Sequence, residues 1–197
     1  MTTSAAATYG DAVLADLVPG ALARDIALVL GGAGLTGLAA QVSFTTPLSP
    51  VPFTLQTMTV LVAGAALGPL RGFASMVLYL LAGMVGVPWF ANHSHGAGGP
   101  AFGYLLGFVV AAAVVGGLAR RGADRHVGST LLLMAVGSAV IYLVGSVWLA
   151  ADLDLSAAKA FDLGVRPFLV TDAVKLGIAA LAFPAAWRLA RGSRRTD

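Results

Sequence analysis

An acid and a base, Asp172 and Lys175, stand three residues apart inside an otherwise apolar run from 168 to 190. On a helix that spacing puts both side chains on one face, a few residues past a helix start at Pro167-Phe168. A carboxylate offers acceptors and an ammonium offers donors, so the pair suits a ligand bearing both N–H groups and an anionic end. The plainer reading is an i,i+3 ion pair that neutralises itself against the neighbouring helices. The cost of ionisable groups inside an apolar span favours the functional reading. Apart from Arg188, close to the far end of this run, no other acid or base lies within such a run.

The segment Trp89-Phe90-Ala91-Asn92-His93-Ser94-His95-Gly96-Ala97-Gly98-Gly99-Pro100 joins aromatics, an amide and small residues. That composition allows close backbone approach and suits a lid over a ligand, with an ordinary wet loop as the alternative. His93 and His95 form a His-x-His pair, but two histidines without a third ligand nearby do not make a metal site. Thr54, Gln56 and Thr57 open the second apolar run, where they either face the same cavity from its other wall or cap the helix. Tyr79 and Tyr104, each taken singly, read as packing residues bonded to a neighbouring helix. There is no Gly-rich phosphate loop, no Gly-x-Ser-x-Gly and no His-Glu-x-x-His, and glutamate is absent. Catalysis thus lacks its usual groups, so the chain reads as a non-enzyme, and any pumping energy would have to come from a partner or an ion gradient.

What must position these residues is a set of membrane helices. Of 197 residues 58% are hydrophobic and 11% charged, with a mean hydropathy of +0.86, a composition whose natural solvent is a bilayer. Spans read at about 26–43, 55–70, 72–88, 102–119, 129–150 and 168–190. The expected fold is an all-α bundle of six transmembrane helices (26–190), an N-terminal cytoplasmic segment (1–25) and a basic cytoplasmic tail (191–197). Residues 1–25 carry Asp11, Asp16 and Asp25 and do not resemble a cleaved signal peptide. No cysteine is available for a disulfide or a thiolate site.

Of the twelve basic residues, nine flank alternate ends of the apolar runs: Arg24, Arg71, Arg120, Arg121, Arg125, Arg188, Arg191, Arg194 and Arg195. Retention of Arg and Lys on the cytoplasmic side puts both termini, the Arg71 turn and the 120–125 loop inside the cell, in a multi-pass protein of the cytoplasmic membrane. The net charge of +3 thus records topology rather than nucleic-acid binding, and the basic tail can touch anionic lipid. The second run is short for a full crossing. The Pro-rich stretch 45–54 before it is expected to dip into the protein as non-helical backbone, tolerated at that depth only where buried or lining a cavity. Loops 44–54, 89–101 and 151–167 then face outside and can converge over one opening. Along the first span, Ala23, Ala27 and Gly31 recur every four residues, followed by Gly34, Gly37 and Ala40. Such spacing lets another helix approach closely, either within the chain or from a partner.

The segments Ser49-Pro50-Val51-Pro52-Phe53-Thr54-Leu55-Gln56-Thr57 and Ala63-Gly64-Ala65-Ala66-Leu67-Gly68-Pro69-Leu70-Arg71-Gly72, together with Tyr79 to Ala91, Gly103 to Phe108, Tyr142 to Gly145 and Pro167 to Lys175, resemble the biotin-specific BioY family of energy-coupling factor (ECF) transporters. The resemblance covers nearly all of 25–185. It implies a six-helix substrate-binding (S) component that holds biotin beneath its outer loops. It implies docking on a transmembrane coupling subunit with two cytoplasmic ABC ATPases, which alone use ATP. Ala23, Ala27 and Gly31 would face the coupling subunit. Asp172 would accept a ureido N–H of biotin, and Lys175 would meet its carboxylate or hold Asp172 charged. Asn92, Gln56 and Tyr104 would add contacts, and Tyr79, Thr54 and Trp89 complete the candidate substrate-binding set. Outside the resemblance, the competing class is an ion- or proton-coupled secondary carrier for another small vitamin-like solute, with Asp172 titrating.

Overall fold

The structure, a computed structural model, describes residues 13–17 and 22–193. Seven α-helices follow in order among the described residues: α1 Leu22–Gln41, α2 Gln56–Leu67, α3 Pro69–Met84, α4 Phe102–Arg120, α5 Val127–Asp152, α6 Ala157–Gly164 and α7 Leu169–Ser193. Between α1 and α2 lies a two-stranded antiparallel hairpin, β1 Ser43–Thr46 and β2 Ser49–Thr54. The expected all-α fold is thus corrected by one small sheet.

The prolines explain that correction. Pro50 and Pro52 cannot donate to a ladder, and β2 is paired on one side only, the position where a strand tolerates them. Their neighbours alternate as a strand requires, with Ser49, Val51 and Phe53 buried. Phe44 stacks on Phe53 across the hairpin at a centroid distance of 5.0 Å, and Phe53 meets Phe168 at 4.4 Å. The dip foreseen in the Pro-rich stretch is therefore a hairpin plugged onto the start of α7.

α2 and α3 are nearly continuous. Gly68 takes φ +83°, open to glycine at little steric cost, and Pro69 restarts the helix at once because its missing N–H is not needed in a first turn. The break between them is Gly68 alone, and Arg71, expected in the turn, lies in the first turn of α3. These two helices pack on α4, which also carries α5, while α1 lies on α3 and α2 and α7 lies on α5. The approach of α4 is set by glycine: a Cβ on Gly64 would come 2.8 Å from the Ala112 carbonyl oxygen, and one on Gly116 2.5 Å from Gly68 backbone carbon.

Among the described residues, four helical runs are long and apolar enough to cross a membrane: α1, α4, α5 and the run 157–189, which takes in α6 and most of α7. α2, with 12 residues, and α3, with 16, are shorter apolar helices. The loop 151–167 is not irregular but carries α6, capped by Ser156, whose side chain accepts from the Lys159 amide.

The two ends of the bundle differ. At one end Arg71 meets Asp16 at 2.7 Å and Asp25 at 3.1 Å, and Asp25 also pairs with Arg24. At that end too Asp124, fully buried, accepts from the Trp187 indole at 2.6 Å. The other end carries the hairpin, the 89–101 loop and the start of α7. Residues 1–12, 18–21 and 194–197, and with them most of the expected N-terminal segment and basic tail, lie outside the described residues.

Candidate functional site

A cavity of about 310 Å³ opens at the hairpin end, within the range of sites for small organic ligands. β2 contributes Val51, Pro52 and Thr54, and the 89–101 loop contributes Phe90, Asn92 and His95. The helices add Gln56, Thr57, Tyr104, Phe108, Tyr142, Phe168 and Lys175. The walls are mainly aromatic and aliphatic, and the polar groups gather where α2, α5 and α7 meet.

The centre of that polar group is Lys175. Its Nζ donates to Asp172 Oδ1 at 2.7 Å, to the Thr54 carbonyl at 2.8 Å and to Thr57 Oγ1 at 3.0 Å. An ammonium has three donors, so all are engaged. Asp172 accepts at its other oxygen from the Tyr142 hydroxyl at 2.6 Å, and Thr57 Oγ1 lies 3.4 Å from Oδ1. With side-chain exposures of 14% for Lys175 and 6% for Asp172, the pair is withdrawn from solvent, and every donor of the ammonium is used. Lys175 and Tyr142 form the cavity surface; Asp172 sits behind them and does not line it. The acid expected to meet a ligand directly is therefore backed by the two groups that do face the cavity.

Gln56 lines the cavity at its buried floor and donates from Nε2 to the Tyr79 hydroxyl at 2.8 Å. Tyr79 passes the chain on, donating to the Trp89 carbonyl at 3.2 Å, while the Trp89 indole returns a bond to the Tyr79 carbonyl at 2.9 Å. Tyr79 and Trp89 do not line the cavity. The structure places them in the clamp that holds the loop on α3, their rings 5.1 Å apart. Tyr104 presents its ring to the cavity while its hydroxyl donates to the Gly164 carbonyl at 2.8 Å, fastening α6 to α4.

Asn92 adopts φ 58°, ψ 36°, the left-handed region that asparagine tolerates better than most residues. Its Oδ1 accepts from Ser43 Oγ at 3.0 Å, so the loop is tied to β1 across the mouth of the cavity. Thr54 enters through its backbone, as the carbonyl that Lys175 grips. His95 lines the cavity and His93 does not. On α1, Ala23, Ala27 and Gly31 are exposed, and a Cβ on Gly31 would meet nothing within 4 Å. They lie opposite the buried face of Gly32, Ala33, Thr36, Gly37 and Ala40.

Three working residues escaped the sequence reading. Tyr142 joins the pair from α5, thirty residues away from Asp172, and its only sequence signal is a hydroxyl in an apolar span that needs a partner. Phe168 seals the hairpin against α7. Gln41 donates from Nε2 to the Trp89 carbonyl at 3.0 Å and the Phe90 carbonyl at 3.3 Å, anchoring the loop to the end of α1.

The family model for BioY matches residues 5–192 of this chain. The chain belongs to the BioY family. A Pyrococcus horikoshii protein named a probable biotin transporter BioY is 40% identical over 162 residues, covering 81% of this chain and 93% of that one. A Thermotoga maritima protein named biotin transporter BioY is 38% identical over 138 residues, covering 68% of this chain and 80% of its own length. In three dimensions the chain is similar to a crystal structure of the S-component for biotin from an ECF-type ABC transporter. The TM-score is 0.75 at 18% identity, over 84% of this chain and 92% of that one. At that identity the likeness speaks for a shared fold.

Proposed function

We propose that this chain binds biotin and serves its uptake across the cytoplasmic membrane as the S component of an ECF-type ABC transporter. The observation that carries the reading is a small cavity, walled by Phe90, Phe102, Phe108 and Phe168 and floored by Lys175 and Tyr142, in a BioY-family chain. Biotin has two ureido N–H donors, one carbonyl acceptor, an apolar bicyclic ring and a carboxylate. The ureido ring goes to the polar floor, where Tyr142 and Lys175 connect it to Asp172 and Gln56 adds an amide. The bicycle lies between the aromatic walls, where stacking and apolar burial supply affinity. The carboxylate extends toward the Asn92 to His95 loop.

The topology proposed with this function is six crossings, by α1, α2, α3, α4, α5 and α7, with α2 and α3 as the two short ones and both termini cytoplasmic. A transmembrane coupling subunit docks on the exposed Ala23, Ala27, Gly31 face of α1, and two cytoplasmic ABC ATPases supply the energy. Membrane lipid surrounds the remaining apolar surface. The chain itself carries no nucleotide-binding loop and performs no covalent chemistry. Biotin enters from outside, the hairpin and loop close, and ATP turnover in the partners tilts the loaded subunit within the membrane.

Reconstitution of the complete four-subunit assembly in vesicles tests this reading. Uptake of labelled biotin is expected to require internal ATP on the ATPase side and to survive dissipation of the proton gradient. Uptake that collapses with an uncoupler while ATP is maintained would instead make the chain a secondary carrier.

A further inference from the structure

A second, much smaller cavity, of about 10 Å³, shares Thr57 and Lys175 with the ligand cavity and adds Asp172 and Ser138. Ser138 stands one helical turn before Tyr142 on α5, so the two hydroxyls share the face turned to α7. Ser138 is buried, and its Oγ has no hydrogen-bond partner in the protein among the described residues. An orphaned hydroxyl is uncommon in a packed interior, and each such group calls for a partner. The remaining wall, with Leu61, Met134 and Ala179, is apolar and offers none.

We propose that this cavity holds one ordered water bridging Ser138 Oγ to the Asp172 carboxylate, and that Ser138 is thereby a positioning residue for the Asp172–Lys175 pair. The size fits: the space admits about one water and no larger ligand. The chemistry fits as well. The water accepts from the Ser138 hydroxyl and donates to Asp172, whose Oδ1 has one strong partner, Lys175 at 2.7 Å, and one long one, Thr57 at 3.4 Å. A metal cation is disfavoured because the Lys175 ammonium already neutralises that oxygen. With the water in place α5 holds Asp172 twice, directly through Tyr142 and indirectly through Ser138, and the carboxylate cannot swing away from the floor of the cavity.

The effect on ligand affinity rests on the biotin reading; the effect on the unliganded protein does not. Ser138→Ala is the informative variant because the two cases have opposite signs. If Ser138 were merely an orphan, removing its hydroxyl would relieve a buried unsatisfied group and leave stability equal or higher. If it binds the water, the change strips that water of an anchor. The melting temperature of the ligand-free protein in detergent is then expected to fall by roughly 2 to 4 °C. Biotin affinity at a temperature well below melting is expected to fall about 5- to 10-fold, the size of one lost hydrogen bond. Ser138→Thr, which keeps a hydroxyl at the same place, is expected to restore both. A high-resolution map should show a single oxygen peak within hydrogen-bond distance of Ser138 Oγ and Asp172. An unchanged or raised melting temperature in Ser138→Ala overturns the inference, as does sodium-dependent stability that marks the site as a cation site. Loss of biotin binding in the wild type alone would sink the ligand reading and leave the water site to be judged by melting temperature and density.

Discussion

Lys175 Nζ donates to the Thr54 carbonyl at 2.8 Å, so one side chain of α7 grips both its own acid, Asp172, and the last residue of the hairpin that roofs the cavity. The ammonium is a joint between the polar floor and the hairpin. Removing it should therefore loosen the hairpin as well as strand a charge.

Lys175→Met tests that joint. It keeps an apolar stem of similar length and leaves Asp172 buried with hydroxyl partners only. Breaking a buried pair by removing one member typically costs about 3 to 5 kcal/mol. The unfolding free energy in detergent should fall by that order, and hydrogen exchange of the β1 and β2 amides should quicken. Unchanged exchange in the hairpin would show that the Thr54 contact carries no load.

Tyr142→Phe removes the 2.6 Å bond to Asp172 Oδ2 and little else. A hydrogen bond to a charged group contributes about 1.5 to 3 kcal/mol. Biotin affinity measured by calorimetry is expected to drop by one to two orders of magnitude. Equal affinity in the two proteins would place Tyr142 outside the binding machinery.

Gly83 faces Phe90, and a Cβ there would collide with the aromatic ring. Because Phe90 lines the cavity, Gly83→Ala should push that ring inward and weaken binding more than it weakens folding. The check is affinity set beside melting temperature in the same preparation; a large loss of stability with normal affinity would mean that α3 moves instead of the ring.

Asn92 separates backbone from side chain. Asn92→Gly keeps the left-handed conformation and loses the Ser43 bond, whereas Asn92→Ala loses the bond and adds roughly 1 to 2 kcal/mol of backbone strain. Binding should therefore decline in the order wild type, Gly, Ala. Equal binding in Gly and wild type would assign Asn92 a purely conformational role.

Asp124 gives a pH signature at the arginine end, in the short turn between α4 and α5. Burial is the main cause that lifts its carboxyl above the ordinary 3.8, and the Trp187 hydrogen bond opposes it. The folded state thus holds this proton more tightly than the unfolded chain. Stability from this group is full below the unfolded pKa near 3.8 and is lost as pH rises through the raised folded value. Asp124→Asn keeps an acceptor for Trp187 and removes the titration. Its melting temperature should match or exceed the wild type at neutral pH, and the wild-type decline with rising acidic pH should flatten.

How much of this was legible in the sequence differs from residue to residue. Asp172 and Lys175 were readable because charge inside an apolar run is conspicuous and three-residue spacing is local. The cavity beside them was readable in outline, since prolines marked 45–54 as non-helical and glycines marked 89–101 as a loop. That the proline stretch is a hairpin was not foreseen, although Val51 and Phe53 alternate as a strand should. What stayed hidden were pairings across distance: Lys175 to Thr54 spans 121 positions, and Tyr142 to Asp172 spans 30. In helices that are apolar all round, no amphipathic stripe reports which face turns inward. Tyr79 was readable from its own residue type as a packing group, and the structure bonds it to Trp89, which steadies the loop.

If the cavity above Lys175 and Tyr142 receives biotin, titration calorimetry of the detergent-purified chain will show saturable one-to-one binding in the micromolar range or tighter, strongly weakened in Asp172→Asn and Lys175→Met. Absence of heat at micromolar biotin from a folded preparation would mean that the cavity takes another ligand.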